Sequence, residues 1–429
     1  MSINSSELLT KPIETRPTEN IEQKKVLSKA LGNELSPKFS HNSQQSPQQI
    51  AEQLSAYLAL TAAERDEQGG TPYAQRQAIR DSGLLKLLIP QELGGLGGSW
   101  AEIYKIIRTI AKVDSSIAQV FAFQFLMLTS IRLYGLKDQW KSLFRETASK
   151  NMWWGNALNP LDNRTIATRA DGYLVFNGQK SFCSGATDSD FLIISAIEQD
   201  TNRFIVAAVP TKRDGIQLNG DWDNMGQRQT DSGSAEFNNL RVEYDELLMN
   251  PGPLSSPFSS LRSLVAQLIF TNIYLGIAEG ALEEGVKYTQ KNSRVWSASL
   301  AQNIQEDPYT LLHYGEFWSG LHAGSVLADH AANLLDSAWQ QDIDLSDEER
   351  GKVALAVFSA KVNITKAGLD VTSRVFEVAG ARATTAKLRM DRYWRNLRVY
   401  TLHDPVDYKL KDLGDWALNG AYPTPSFYS

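Results

Sequence analysis

The hydrophobic period changes twice along the chain, and nothing else in the sequence restricts the fold as much. From about Pro47 to Asn159 apolar residues recur at helical spacing: Ile50, Leu54 and Leu58 fall four apart, and Ile103, Ile106, Ile110 and Val113 fall three and four apart. From about 160 to 250 the pattern becomes short β-rich runs, at 173–176, 179–183, 191–196, 204–209 and 234–242, separated by Pro, Asp, Gly and Asn. Asn177-Gly178 between the first two runs reads as the two-residue turn of a hairpin, so this stretch predicts a compact antiparallel β unit. Beyond Ser255 the helical period returns, with one long helix over 261–291. A stripe of Val353, Val357, Ala360, Ile364, Ala367 and Val371 follows, and it requires partner helices. The economical architecture is α+β and mainly α. It has a flexible tail (1–45), an N-terminal helical domain (46–159), a β domain (160–252) and a C-terminal four-helix bundle with a terminal tail (253–429).

Composition removes several classes of function. At 429 residues and 42% hydrophobic the chain needs more than one packed unit. Its net charge of -6 comes with scattered Lys and Arg, which form neither the basic stripe that a phosphate backbone requires nor a polybasic membrane anchor. Cys183 is the only cysteine, which excludes an internal disulfide framework and a thiolate-rich metal cluster and suits a reducing, cytoplasmic setting. The most apolar run, 117–128, is interrupted by Gln119 and Gln124 and is shorter than the roughly 20 residues a membrane span needs, so a helix buried in protein is expected. The first 45 residues lack the apolar core of a secretory signal, so export is not expected. Gly94-Gly95-Leu96-Gly97-Gly98 follows Pro90-Gln91-Glu92-Leu93 rather than a strand and lacks the Lys-Ser/Thr of a phosphate loop. It reads as a tight connection between helices.

The order of helices, small β domain and bundle, together with several long motifs, resembles the acyl-CoA dehydrogenase superfamily, and within it the dibenzothiophene monooxygenase group. The motifs are Trp153-Trp154-Gly155-Asn156-Ala157, Asn177-Gly178-Gln179-Lys180-Ser181-Phe182-Cys183-Ser184-Gly185-Ala186 and Gly226-Gln227-Arg228-Gln229-Thr230-Asp231-Ser232-Gly233-Ser234. Glu306-Asp307-Pro308-Tyr309-Thr310, Gly380-Ala381-Arg382, Arg392-Tyr393-Trp394-Arg395-Asn396 and Leu402-His403-Asp404-Pro405-Val406 extend the match from about residue 50 to the C-terminus.

The resemblance implies flavin between the β domain and the bundle, and the residues then choose between two chemistries. A dehydrogenase of this superfamily needs a carboxylate to take the α-proton of an acyl thioester. One of its two places, after the tyrosine in Val399-Tyr400-Thr401, holds Thr401; the other, early in the long central helix, falls in a stretch without Asp or Glu between Glu246 and Glu279. A monooxygenase instead needs a dry site of neutral hydrogen-bonding groups, because water or a strong base destroys a flavin C4a-hydroperoxide before its oxygen is transferred.

The resemblance therefore implies a two-component monooxygenase that uses reduced FMN and O2 to oxygenate sulfur in an organosulfur, dibenzothiophene-like compound. Ser184, Asn156 and His403 are the catalytic candidates; Asn156, Ala157, Lys180, Phe182, Cys183, Ser184, Arg294, Arg382 and His403 are expected around the flavin. Phe123, Gln124, Phe125, Phe182 and Trp222 are expected to wall the substrate pocket, with Gln124 standing where the group carries a histidine. Plainer readings exist for each: a turn hydroxyl for Ser184, a histidine satisfied by Asp404 for His403, a helix cap for Asn156, surface ion pairs for Arg294 and Arg382. No nicotinamide-binding glycine fingerprint follows a strand, so FMN is expected to arrive reduced from a separate NAD(P)H-dependent flavin reductase. A homotetramer is expected, with an arginine from one chain serving a neighbour's flavin. The alternatives are an acyl-CoA dehydrogenase, an oxygenase of another aromatic such as indole, and a silent scaffold that kept the fold.

Overall fold

The computed structural model describes residues 45–292 and 294–429; residues 1–44 of the expected tail lie outside the described residues. The N-terminal region is helical as its period predicts. Helix α1 (Pro47–Ala59) starts at Ser46, whose hydroxyl and Gln49 form a reciprocal cap, and has Pro47 in its first turn. After α2 (Ala62–Gln68) and α3 (Tyr73–Ser82) come α4 (Trp100–Ala111), which buries Ile103, Ile106, Ile107 and Ile110, and α5 (Ser115–Tyr134), capped by Asp114. Helix α6 (Lys137–Lys150) closes the region. The glycine cluster lies between a short turn at Gln91–Leu93 and α4. A Cβ on Gly95 would sit 1.9 Å from the Ile89 carbonyl oxygen, so close backbone packing, not phosphate binding, requires that glycine.

Every residue of α5 except Arg132 is buried. At 20 residues it is long and apolar enough to cross a membrane, and so is the stretch Leu261–Lys291; in both, 94% of the most apolar window is covered by protein. Burial, rather than the shortness expected from the sequence, is what marks α5 as a core helix.

The sheet is mixed rather than antiparallel. Its strands are β1 (Trp154–Ala157), β2 (Ile166–Arg169), β3 (Tyr173–Lys180), β4 (Phe191–Glu198), β5 (Phe204–Pro210), β6 (Ile216–Leu218) and β7 (Ala235–Glu243). Strand β4 pairs antiparallel with β5 along one edge; on its other edge β1 and then β2 pair parallel to it, and β3, β7 and β6 follow outward. The sheet begins at Trp154, inside the stretch expected to be helical. Asn177-Gly178 does not turn the chain: β3 runs through it with an irregularity between Phe176 and Gly178. Gly178 has φ 129°, and a Cβ there would lie 2.1 Å from the Arg164 carbonyl oxygen, so the glycine permits a bulge against a crossing segment.

The C-terminal region packs α7 (Leu261–Asn292), α8 (Pro308–Gln341), α9 (Asp347–Ala379) and α10 (Asp391–Tyr400) against one another and against α4 and α5. Val353, Val357, Ala360, Ile364 and Val371 are buried along α9 as their stripe predicts, and Ala367 is half-buried. Helix α11 (Val406–Asn419) follows, and residues 420–429 fold back so that Arg350 of α9 donates to the carbonyls of Pro423 and Ser429. One apolar core joins the helical regions and a second fills the β domain. Ser184 of the β domain and Gln119 of α5 lie where the two meet.

Candidate active site

Strand β1 brings Asn156 beside the segment that follows β3. The Asn156 amide donates to the Ser184 carbonyl at 3.1 Å, and its side chain donates to the Phe182 carbonyl at 3.3 Å and accepts from the Leu158 amide at 3.2 Å. Phe182 holds φ 62°, an uncommon conformation for an aromatic residue. Its ring is 58% exposed and meets Trp222 edge-on at 6.1 Å. A strained backbone that presents an aromatic ring to solvent is what a ligand-facing wall looks like.

Ser184 is buried, and its hydroxyl belongs to a chain that fixes its direction. Thr230 Oγ1 donates to the Gln227 carbonyl (3.0 Å), so its only hydrogen is used; Ser232 must then donate to Thr230 (2.8 Å), and Ser184 must donate to Ser232 (2.7 Å). From the other side Gln119 Nε2 donates to Ser184 Oγ at 3.0 Å, and the Tyr400 hydroxyl donates to Gln119 Oε1. Burial pushes the Tyr400 phenol well above its ordinary range, so it keeps its hydrogen. Ser184 is left with one lone pair free to accept a further hydrogen and none to give.

The same chain of groups reaches the bundle end. Tyr274 of α7 donates to the Tyr400 carbonyl at 2.8 Å, and Phe270 of α7 packs on Tyr400, on Phe123 and on His403, at ring distances of 5.7, 6.1 and 4.3 Å. His403 lies between α10 and α11, part-exposed, with Nδ1 3.0 Å from Asp404 Oδ1. Beside it a cleft of about 440 Å³ opens between α11 and the terminal tail. Thr401, in the place of the dehydrogenase base, turns its hydroxyl back to the Arg398 carbonyl of its own helix at 3.1 Å.

Several expected site residues face elsewhere. Gln124 is fully buried; it donates to the Leu85 and Met152 carbonyls and accepts from the Trp154 amide at 2.8 Å, which ties α5 to β1 and leaves nothing for a ligand. Helical geometry explains the correction, because positions four apart share a face: Gln119 and Phe123 point to the site, and Gln124 does not. Phe125 is core, edge-on to Phe121. Lys180 is buried with its ammonium on the Asn159 and Asp162 carbonyls, where burial pushes its pKa down to about 8. The Ala157 side chain and the Cys183 thiol fill the β core, and burial pushes that thiol up to about 12. Gln119, Tyr400, Ser232 and Phe270, which the sequence did not single out, contact Ser184 or His403 directly or through one another.

Arg294 and Arg382 are exposed, just beyond the C-terminal ends of α7 and α9. Those ends are neighbours, since Thr289 reaches the Val378 carbonyl at 3.4 Å. Phe270, which touches His403, is 22 residues from the end of α7. At 1.5 Å per residue the two arginines stand roughly 33 Å along the bundle from His403. The motif at 226–234 is largely a staple between domains: the Gln227 amide donates to Asn396 Oδ1 at 2.7 Å, and a Cβ on Gly226 would fall 2.4 Å from the Arg395 carbonyl oxygen.

A reduced flavin fits this set. Ser184 offers a hydrogen acceptor, Asn156 an amide and Phe182 and Trp222 aromatic faces, and exposed guanidinium groups suited to a phosphate lie at the far end of the bundle.

Residues 41–151, 155–240 and 268–408 match, in turn, the N-terminal, middle and C-terminal domain families of acyl-CoA dehydrogenase. A probable FMNH2-dependent monooxygenase of Pseudomonas putida is 56% identical over 381 residues, 89% of this chain and 96% of its own length. Dibenzothiophene monooxygenase of Rhodococcus qingshengii is 42% identical over 398 residues, 89% and 95% of the two chains. Among solved structures, methanesulfinate monooxygenase from Pseudomonas fluorescens matches at TM-score 0.89 and 56% identity, covering 90% of this chain and all of that one. FMN-bound dibenzothiophene monooxygenase from Paenibacillus sp. A11-2 matches at TM-score 0.85 and 40% identity, covering 89% and 99%. With three domain families in the order the fold requires and close relatives over nine-tenths of its length, the chain belongs to the acyl-CoA dehydrogenase superfamily, in the branch that holds these flavin monooxygenases.

Proposed function

We propose that the protein is a two-component flavin monooxygenase that binds reduced FMN from a separate NAD(P)H-dependent reductase and transfers one oxygen atom of O2 to the sulfur of an organosulfur compound. The observation that carries this reading is the exchange of a base for a hydrogen-bond chain. Thr401 is turned into its own helix, while Ser184 is held by Gln119 and Ser232 as an acceptor. A dehydrogenase site lacks its proton acceptor here, and an oxygenase site has what it needs, a fixed neutral group beside the isoalloxazine.

When bound, reduced FMN supplies the electrons that activate O2. The protein's residues do the rest: Ser184 accepts from the flavin ring, Asn156 orients the wall formed by Phe182, and His403 holds or moves a proton at Nε2. Phe123, Phe270 and Phe182 exclude water, and these aromatic walls suit a flat thiophene or indole. A small alkane sulfinate is the second reading, favoured by the likeness to methanesulfinate monooxygenase.

The distance from His403 to Arg294 and Arg382 supports an assembly in which these residues hold the phosphate of a neighbouring chain's flavin, and the homotetramer follows from that reading. Purified protein should bind reduced FMN anaerobically and should show no oxidation of acyl-CoA thioesters with an artificial electron acceptor. Turnover of a common acyl-CoA at an ordinary dehydrogenase rate would overturn it.

A further inference from the structure

A lysine on the buried side of α9 needs a reason. Lys361 is 1% exposed, and its ammonium reaches Asp404 Oδ1 at 2.5 Å and Gln267 Oε1. The same Asp404 oxygen faces His403 Nδ1 at 3.0 Å, while Asp404 Oδ2 is buried without a hydrogen-bond partner. Replacing a buried ion pair by apolar residues is often neutral or stabilising, so stability alone does not account for this one. His403 and Lys361 adjoin one ring: Phe270 lies 4.3 Å from the His403 ring and 6.0 Å from the Lys361 nitrogen.

We propose that Asp404 and Lys361 are positioning residues for His403, which fix the hydrogen on Nδ1 and present Nε2 to the site as an unprotonated acceptor. This role rests on the monooxygenase reading of the site, in which His403 exchanges a proton at that nitrogen. A carboxylate can only accept, so Nδ1 must carry the hydrogen. Burial pushes Asp404 upward, but the His403 hydrogen bond and the Lys361 charge outweigh it and hold the carboxyl below the usual range, as an anion.

The ammonium makes the pair neutral, so no excess negative charge draws a second proton onto the imidazole. Without it, the only cation left to offset the buried carboxylate beside His403 among the described residues would be Lys409, 3.6 Å from the other oxygen. Burial pushes Lys361 down to about 8, and the Asp404 anion 2.5 Å away opposes that push and favours the ammonium. Other charged or titratable groups pack here: Lys409 of α11 donates to the Tyr428 carbonyl and forms a second, longer ion pair with Asp404 Oδ2 at 3.6 Å, the Tyr428 phenol ring lies 5.7 Å from His403, Arg350 of α9 holds the tail, Arg262 of α7 donates to Ser130, and Tyr274 donates to Tyr400.

Imidazole nitrogen NMR on the flavin-free protein at pH 7.5 tests this without turnover. The wild type should show His403 protonated at Nδ1 and bare at Nε2, Lys361→Met should show both nitrogens protonated, and the double variant Lys361→Met/Asp404→Leu should stay folded and shift the hydrogen to Nε2. With FMNH2 supplied, Lys361→Met should lower product formed per reduced flavin by at least ~10-fold with flavin affinity unchanged. A wild-type ring bare at Nδ1, or a folded double variant with the wild-type pattern, would overturn the proposal even if Lys361→Met alone failed to fold. Failure of oxygenation with the nitrogen pattern as expected would count against the flavin reading instead.

Discussion

The Ser184 hydroxyl has one hydrogen, and its neighbours send it to Ser232, so the residue serves a bound flavin only as an acceptor. Ser184→Ala and His403→Ala should therefore cut oxygenated product by ~10²-fold while hydrogen peroxide release rises and FMN affinity stays put; Arg382→Ala should do the reverse, weakening flavin binding with coupling preserved. Product and peroxide assays beside an anaerobic flavin titration separate these outcomes. The two glutamines of α5 should part in the same way. Gln119→Leu breaks the chain from Tyr400 to Ser184 and should uncouple turnover, whereas Gln124→Leu strands the Trp154 amide and should cost about 1–3 kcal/mol of stability, read by denaturant unfolding. Ser184, Asn156 and His403 could be singled out from the sequence because each sits in a long motif. Gln119 could not, since nothing in a linear reading says which face of a helix buried all round meets the β domain, and the neighbour of Phe123 in sequence points away from it. The side chains of Lys180 and Cys183 face inward for a related reason: a motif names a stretch, and the fold turns some side chains of that stretch into the core.

Strands were legible where both faces advertise β character, as in β4 and β5, and illegible where pairing is remote. Four buried residues of β1 depend on β4, nearly forty positions away, and Asn177-Gly178 looks like a turn only until β2 and β7 are seen on either side of β3. The bulge makes a sharp prediction. A Cβ at Gly178 meets the Arg164 carbonyl, so Gly178→Ala should destabilise the β domain by roughly 2 kcal/mol or more, where a free hairpin turn would lose less. Urea unfolding followed by tryptophan fluorescence decides between them, and a loss below about 1 kcal/mol would argue for a turn after all.

Across the whole molecule, the length of α7 separates the flavin-facing groups from the arginines suited to its phosphate. A mixed oligomer of Ser184→Ala and Arg382→Ala chains should then regain tight flavin binding together with coupled turnover, a combination that neither parent has, since some sites would pair an intact Ser184 with an intact Arg382 from the neighbour. No recovery in a verified mixed assembly would place both residues in one chain's site. The period changes along the sequence foretold three units and their order, but not the separation of His403 from the two arginines, which depends on how far a helix carries its ends from its middle. The central claim is oxygen transfer, and single-turnover mass spectrometry with FMNH2 and 18O2 reads it directly, using dibenzothiophene and methanesulfinate as the sulfur substrates. One labelled oxygen should appear on the sulfur of the accepted substrate, in an amount approaching the reduced flavin consumed. Quantitative release of labelled hydrogen peroxide with neither substrate oxygenated, together with oxidation of an acyl-CoA by the same preparation, would contradict the account.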